Sequence, residues 1–101
     1  MSRQLPAFRI VADPLPQDLL DRTALGQRSK FGGRPTWEQE DETPTCPDCS
    51  KSMVFVAQLD SIGFDPAKTV GADEYIFGDV GLIYVFFCFD DGKTTSVFQS
   101  T

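Results

Sequence analysis

Three cysteines and an aspartate are the residues of this chain whose types and spacing point most directly to chemistry. Cys46 and Cys49 stand two residues apart in TCPDCSKSM (45–53), the separation of a metal knuckle or a redox pair; the chain has one further cysteine, Cys88, and no histidine. A four-ligand metal site therefore needs a donor of another type. Laid beside CPDCS (46–50), the segment CFDDG (88–92) repeats the pattern with Asp91 at the place of the second cysteine and Gly92 where a tight knuckle favours positive φ. Two such loops at strand junctions are how a zinc ribbon gathers four ligands, and a carboxylate oxygen is an acceptable zinc donor. Cys46, Cys49, Cys88 and Asp91 are the expected ligand set, weaker and more open than four thiolates. Two observations stand against it. The 38 residues between Cys49 and Cys88 exceed the ~15–20 of common ribbons, and Cys88, in an apolar run, could be a buried small hydrophobe. A thioredoxin-like redox pair fits poorly, because that motif follows a strand and opens a helix.

The elements that would position these residues are short. Alternation at Met53, Phe55, Ala57 and Leu59 predicts a strand over 53–60, with Gln58 and Asp60 on its other, mixed face. LIYVFFCF (82–89) is apolar at nearly every position, the pattern of a central strand covered on both sides. Asp91-Gly92 signals a hairpin returning through KTTSVFQS (93–100). Paired Gly32 and Gly33 with Pro35 predict a turn leading to an anchoring Trp37, and FGDVG (77–81) predicts another turn. EQEDETPT (38–45) reads as an acidic loop with nothing in it to pack. Phe8, Ile10 and Ala12 suggest an edge strand or a loose arm over 1–12, and prolines after Asp13 and Asp65 could start single helical turns. The expected fold is mainly β (β-rich α+β): a small antiparallel sheet with a zinc-ribbon-like pair of knuckles and at most one or two short helices. Residues 1–101 would form a single domain, with 28–100 as its β-rich core.

Bulk composition narrows the function classes. With 101 residues, 41% of them hydrophobic, one small core is affordable and a metal would help to stabilise it. Three cysteines, an odd count, argue against a disulfide framework; with no recognisable export signal they suggest a reducing cytoplasm. No apolar run reaches the ~18 residues of a membrane helix. The net charge of −6 is divided unevenly: residues 1–35 carry six basic and three acidic side chains, a net +3, whereas residues 36–101 carry three and twelve, a net −9. That acidity disfavours nucleic acid and favours a protein partner with a basic surface.

The joint order of SKFGGRPTW, CPDCSKSMVFVAQLDS and FGDVGLIYVFFCFDDG resembles the YwqG-like proteins of bacteria and the related eukaryotic programmed-cell-death-protein-2 group, over about residues 28–92. Gly32, Gly33, Pro35 and Trp37 match the first family motif; Cys46, Cys49 and Cys88 the metal-binding pattern; Gln58 the F-x-x-Q strand; and Gly78, Asp79 and Gly81 the turn. Asp91 departs from the second C-x-x-C. The resemblance implies a β-rich domain without established enzymatic activity. The eukaryotic relatives are associated with escorting a newly made ribosomal protein, and the mostly uncharacterised bacterial ones include candidate immunity proteins against toxins. Read physically, these positions need only structure: Gln58 could bridge the backbone of a neighbouring loop, and Asp79 could accept from turn amides.

Catalysis finds little support. No histidine supplies a base near neutral pH. The paired carboxylates Asp90/Asp91 and Asp73/Glu74 are sequence neighbours at turns. A zinc-dependent hydrolase or a zinc-ribbon nucleic-acid binder are the lesser alternatives to a non-catalytic protein-binding module.

Overall fold

The computed structural model describes residues 4–15, 28–61, 77 and 81–100. Four strands form one antiparallel sheet in chain order: β1 (Lys30–Phe31), β2 (Val54–Asp60), β3 (Gly81–Phe87) and β4 (Thr94–Ser100). There is no helix among the described residues. The helical turns expected after Asp13 and Asp65 lie outside them, as do Gly78 and Asp79. Residues 4–15 form no strand, and Ile10 and Val11 are exposed. The place beside β2 that an edge strand would take belongs to Lys30 and Phe31, paired with Gln58 and Ala57.

β3 supplies the core. Leu82, Tyr84 and Phe86 alternate onto one face and are fully buried, and Cys88 continues that row beyond the strand. Phe55, Met53 and Cys46 join them, with Trp37 laid over the top, 4.5 Å from the Tyr84 ring and 6.0 Å from the Phe86 ring between centroids. Burying aromatics of this size dominates the energetics of so small a core. The opposite face of β3 is not fully covered. Ile83, Val85 and Phe87 are half-buried, and Val54, Leu59 and Phe98 beside them are exposed. The apolar run of β3 thus reflects one core face and one partly open apolar face, not burial on both sides.

A bulge corrects the expected facing of β2. The register shifts between Phe55, opposite Phe86, and Ala57, opposite Val85, so that Val56 is the extra residue. Every side chain after it changes face. Gln58 and Asp60 come opposite Tyr84 and Leu82 and are buried on the core side, whereas Leu59 turns outward. Strict period-two counting cannot see this insertion.

The buried polar residues are paired. Gln58 accepts from the Thr36 amide (2.9 Å) and donates to the Arg28 carbonyl (2.6 Å), the backbone bridging expected of it. Arg28 donates to both oxygens of Asp60 through Nε (3.1 Å) and a terminal nitrogen (2.9 Å), and pairs also with Glu38. Burial opposes the Arg28 charge, but the hydrogen bonds and charges of Asp60 and Glu38 outweigh it and hold the pKa above the ordinary value.

Gly32 and Gly33 have φ of 73° and 75° and turn the chain out of β1 across the core face, with the Gly32 amide on the Val56 carbonyl (2.6 Å). Gly81 is required by close approach: a Cβ there would stand 2.4 Å from both the Phe77 carbonyl oxygen and the Phe98 ring. The acidic segment after Trp37 is anchored, contrary to expectation. Tyr84 Oη accepts from the Glu38 amide (2.9 Å), Gln99 accepts from the Gln39 amide (2.9 Å), and Gln99 donates to the Glu40 carbonyl (2.6 Å) and the Glu42 carboxylate (2.7 Å). Polar side chains rising from the sheet hold it, a tether that composition does not reveal.

Candidate metal centre

The two cysteine-bearing segments are the same turn built twice. In the first, the Cys46 amide donates to the Lys51 carbonyl (2.9 Å) and the Ser50 amide to the Cys46 carbonyl (2.9 Å). In the second, the Cys88 amide donates to the Lys93 carbonyl (2.8 Å) and the Gly92 amide to the Cys88 carbonyl (2.8 Å). The fifth residue of each adopts positive φ, 60° at Ser50 and 82° at Gly92. Glycine is at ease there and serine is not. The first turn is closed by the Thr45–Ser52 bridge and leads into β2; the second joins β3 to β4.

The turns face each other reciprocally. Lys51, sixth in the first, pairs with Asp90, third in the second (2.9 Å); Lys93, sixth in the second, pairs with Asp48, third in the first. At the centre the same exchange recurs: Cys46 Sγ donates to Asp91 Oδ2 at 3.1 Å, and Cys49 Sγ lies 3.3 Å from Cys88 Sγ. The structure brings together all four residues expected from sequence. One ligand atom from each of Cys46, Cys49, Cys88 and Asp91 falls within 4.8 Å of every other. Around a tetrahedral ion with metal–sulfur bonds near 2.3 Å, ligand atoms stand about 3.8 Å apart. The cluster is therefore of the right size, and an ion would ease apart its two closest contacts.

Burial divides the four. Cys46 and Cys88 are buried against Met53 and Phe86, Cys49 is half-buried, and Asp91 is exposed. Burial pushes the Cys88 thiol up from 9.0 to about 12, with the neighbouring Cys49 thiol adding to the rise. Cys49 is lowered, chiefly by its hydrogen bond with Cys88 and then by the Lys51 amide. Asp91 is held below the usual carboxylate range, first by the Lys93 amide (3.0 Å) and then by the Cys46 thiol. Without an ion the Cys88 thiol is thus held in its protonated form; a bound cation would displace that proton.

Sequence reasoning named the four residues that the structure brings together but missed the ion pairs of Asp48, Lys51, Asp90 and Lys93. The signal was available, because C-x-D-[C/D]-[S/G]-K occurs twice, at 46–51 and 88–93. It also missed Arg28 as a buried cation, for which no local pattern exists: its partner Asp60 is 32 residues away and reaches the core side only through the bulge at Val56.

No protein-family profile matches the chain. Among curated proteins it is similar to the "Uncharacterized protein YpfL" of Salmonella typhimurium, 34% identical over 73 residues. That match takes in 72% of this chain, which spans 15% of the length of that relative. No solved structure matches.

Proposed function

We propose that Cys46, Cys49, Cys88 and Asp91 hold one zinc ion as a structural staple, and that the stapled sheet is a non-catalytic module binding a protein partner with a basic surface. The observation that carries the zinc assignment is the reciprocal packing of two equivalent turns, which points four ligand atoms at one centre. Three thiolates and a carboxylate suit zinc better than the hard cations that prefer all-oxygen shells. When bound, the ion would cross-link the β2 entry to the β3–β4 connection. A small domain gains from such a link because its core alone contributes little net stability.

The binding role draws support from charge and from the uncovered apolar face. Residues 36–101 carry a net −9, and the half of the sheet facing away from Trp37 presents Phe31, Val54, Leu59 and Phe98 to solvent. A strongly acidic chain attracts basic protein and repels nucleic acid, and exposed apolar surface gives such a partner something to cover. The YwqG-like resemblance agrees with an escort for a ribosomal-type protein. The test is retention of purified basic ribosomal proteins on the immobilised, zinc-loaded chain at physiological salt. A basic protein held in stoichiometric amount and released by added salt is expected; no retention, or preferential retention of RNA, would overturn the binding role.

A further inference from the structure

Among the described residues the sheet ends at β1 and at β4, and these two edges are finished very differently. β1 has two residues, one of them Lys30, and the paired glycines then carry the chain away. Short, charged edges of this kind resist pairing with other chains. β4 has seven residues, TTSVFQS, with no charge and no proline, in unbroken register with β3 from Thr94 to Ser100. Nothing in its side chains protects it.

The register also says which backbone groups face away from the paired strands among the described residues. The Cys88 amide donates to the Lys93 carbonyl, which makes that pair a hydrogen-bonded one. Alternation in an antiparallel ladder then turns Thr95, Val97 and Gln99 toward β3, and Thr94, Ser96, Phe98 and Ser100 away from it. The Ser100 carbonyl confirms the direction, because it accepts from the Gln39 side chain (2.5 Å) outside the sheet. Thr94, Ser96 and Phe98 are exposed, and Phe98 is 51% accessible.

The flanks of this edge differ in chemistry. On the outer face lies apolar Phe98, continuous with Ile83, Leu59 and Val54 through the paired strands. On the core face the tethered segment Gln39–Glu42 reaches the edge through Gln99 and Ser100 and leaves Glu40, Asp41 and Glu42 exposed beside it. A strand added to β4 would send alternate side chains to these two sides.

From this geometry we infer that β4 is a docking edge for an extended basic segment of a partner protein, in which apolar residues alternate with Lys or Arg. The apolar side chains lie beside Phe98, the cationic ones beside Glu40–Glu42, and the main chain takes up the outward amides and carbonyls of Thr94, Ser96 and Phe98. The inference rests on the binding role proposed above and names its surface. A second copy of this chain is the poorer occupant, since it would bring two acidic segments to one junction.

The test uses the full zinc-loaded chain and a fluorescent synthetic peptide alternating valine with lysine, read by anisotropy and by amide hydrogen exchange. Binding should slow exchange at Ser96 and Phe98, should fail for a valine–glutamate peptide, and should weaken by about tenfold in Ser96→Pro, which removes an outward donor without touching the bonds to β3. A lysine peptide N-methylated along its pairing edge makes the same comparison on the unaltered protein, should Ser96→Pro fail to fold. If the lysine peptide binds but Ser96→Pro and N-methylation change nothing, or protection appears elsewhere, the β4 edge is overturned while the basic-partner reading stands. If neither the peptide nor ribosomal protein binds, both fall. If Ser96 and Phe98 are already protected without peptide in a particle of twice the chain mass, the edge belongs to a second copy and the partner assignment is wrong.

Discussion

Asp91 stands in the second knuckle where Cys49 stands in the first. Each lies across the centre from the leading cysteine of the opposite turn, Asp91 from Cys46 at 3.1 Å and Cys49 from Cys88 at 3.3 Å. The cluster is a two-fold arrangement with one cysteine exchanged for an aspartate, at its most exposed corner. Asp91→Cys should complete the set of four thiolates and tighten zinc binding by at least about tenfold, since thiolate is the softer ligand. Competition with a chromophoric chelator measures this; unchanged or weaker binding would mean that Asp91 does not face the ion.

Much of this centre was legible because local spacing encodes it. CPDCS and CFDDG are near-copies, and a turn of fixed length aims its residues in a fixed direction whatever the rest of the chain does. The alternation of Leu82, Tyr84 and Phe86 likewise shows directly as a buried strand face. What stayed hidden depends on non-local contacts. The extra residue at Val56 costs one register step and reverses the facing of Gln58 and Asp60; only the partner strand reveals it. The order in residues 38–42 comes from Tyr84 and Gln99, more than 40 residues along the chain. The outer face of β3 has the same composition whether another layer covers it or not.

The fifth position of each turn offers a paired test. Ser50 adopts φ 60° where Gly92 adopts 82°. Relieving the left-handed serine should make Ser50→Gly more stable by about 0.5–1 kcal/mol, and Gly92→Ala should lose about 1 kcal/mol or more. Urea denaturation of both variants, in the same metal state, checks the opposite signs.

The ion pairs across the knuckles and the one in the core should differ in weight. Lys51–Asp90 and Lys93–Asp48 are solvent-exposed, so Lys51→Ala and Lys93→Ala should each change stability by less than about 1 kcal/mol. Arg28 is buried against a fully buried Asp60, and Arg28→Met, which removes the positive charge from beside that carboxylate, should cost about 3–5 kcal/mol. Chemical denaturation of the three variants compares them directly.

Alkaline pH separates the metal-free protein from the loaded one. The folded metal-free chain holds the Cys88 thiol at about 12, above its ordinary value of 9.0. A folded pKa raised in this way contributes stability that is fully present below about pH 9 and is lost as pH climbs toward 12. With zinc bound the thiolate is already formed and that loss should disappear. Melting temperatures between pH 8 and 11, with and without a chelator, should diverge as pH rises; parallel curves would contradict the burial of Cys88.

Native mass spectrometry of the chain purified without added chelator tests the central claim most directly. One zinc per chain is expected, absent from Cys46→Ser and from Cys88→Ser and retained by Lys51→Ala. A wild-type chain that takes up no zinc when the metal is supplied, or a Cys46→Ser variant that holds it as tightly as the wild type, would contradict the account.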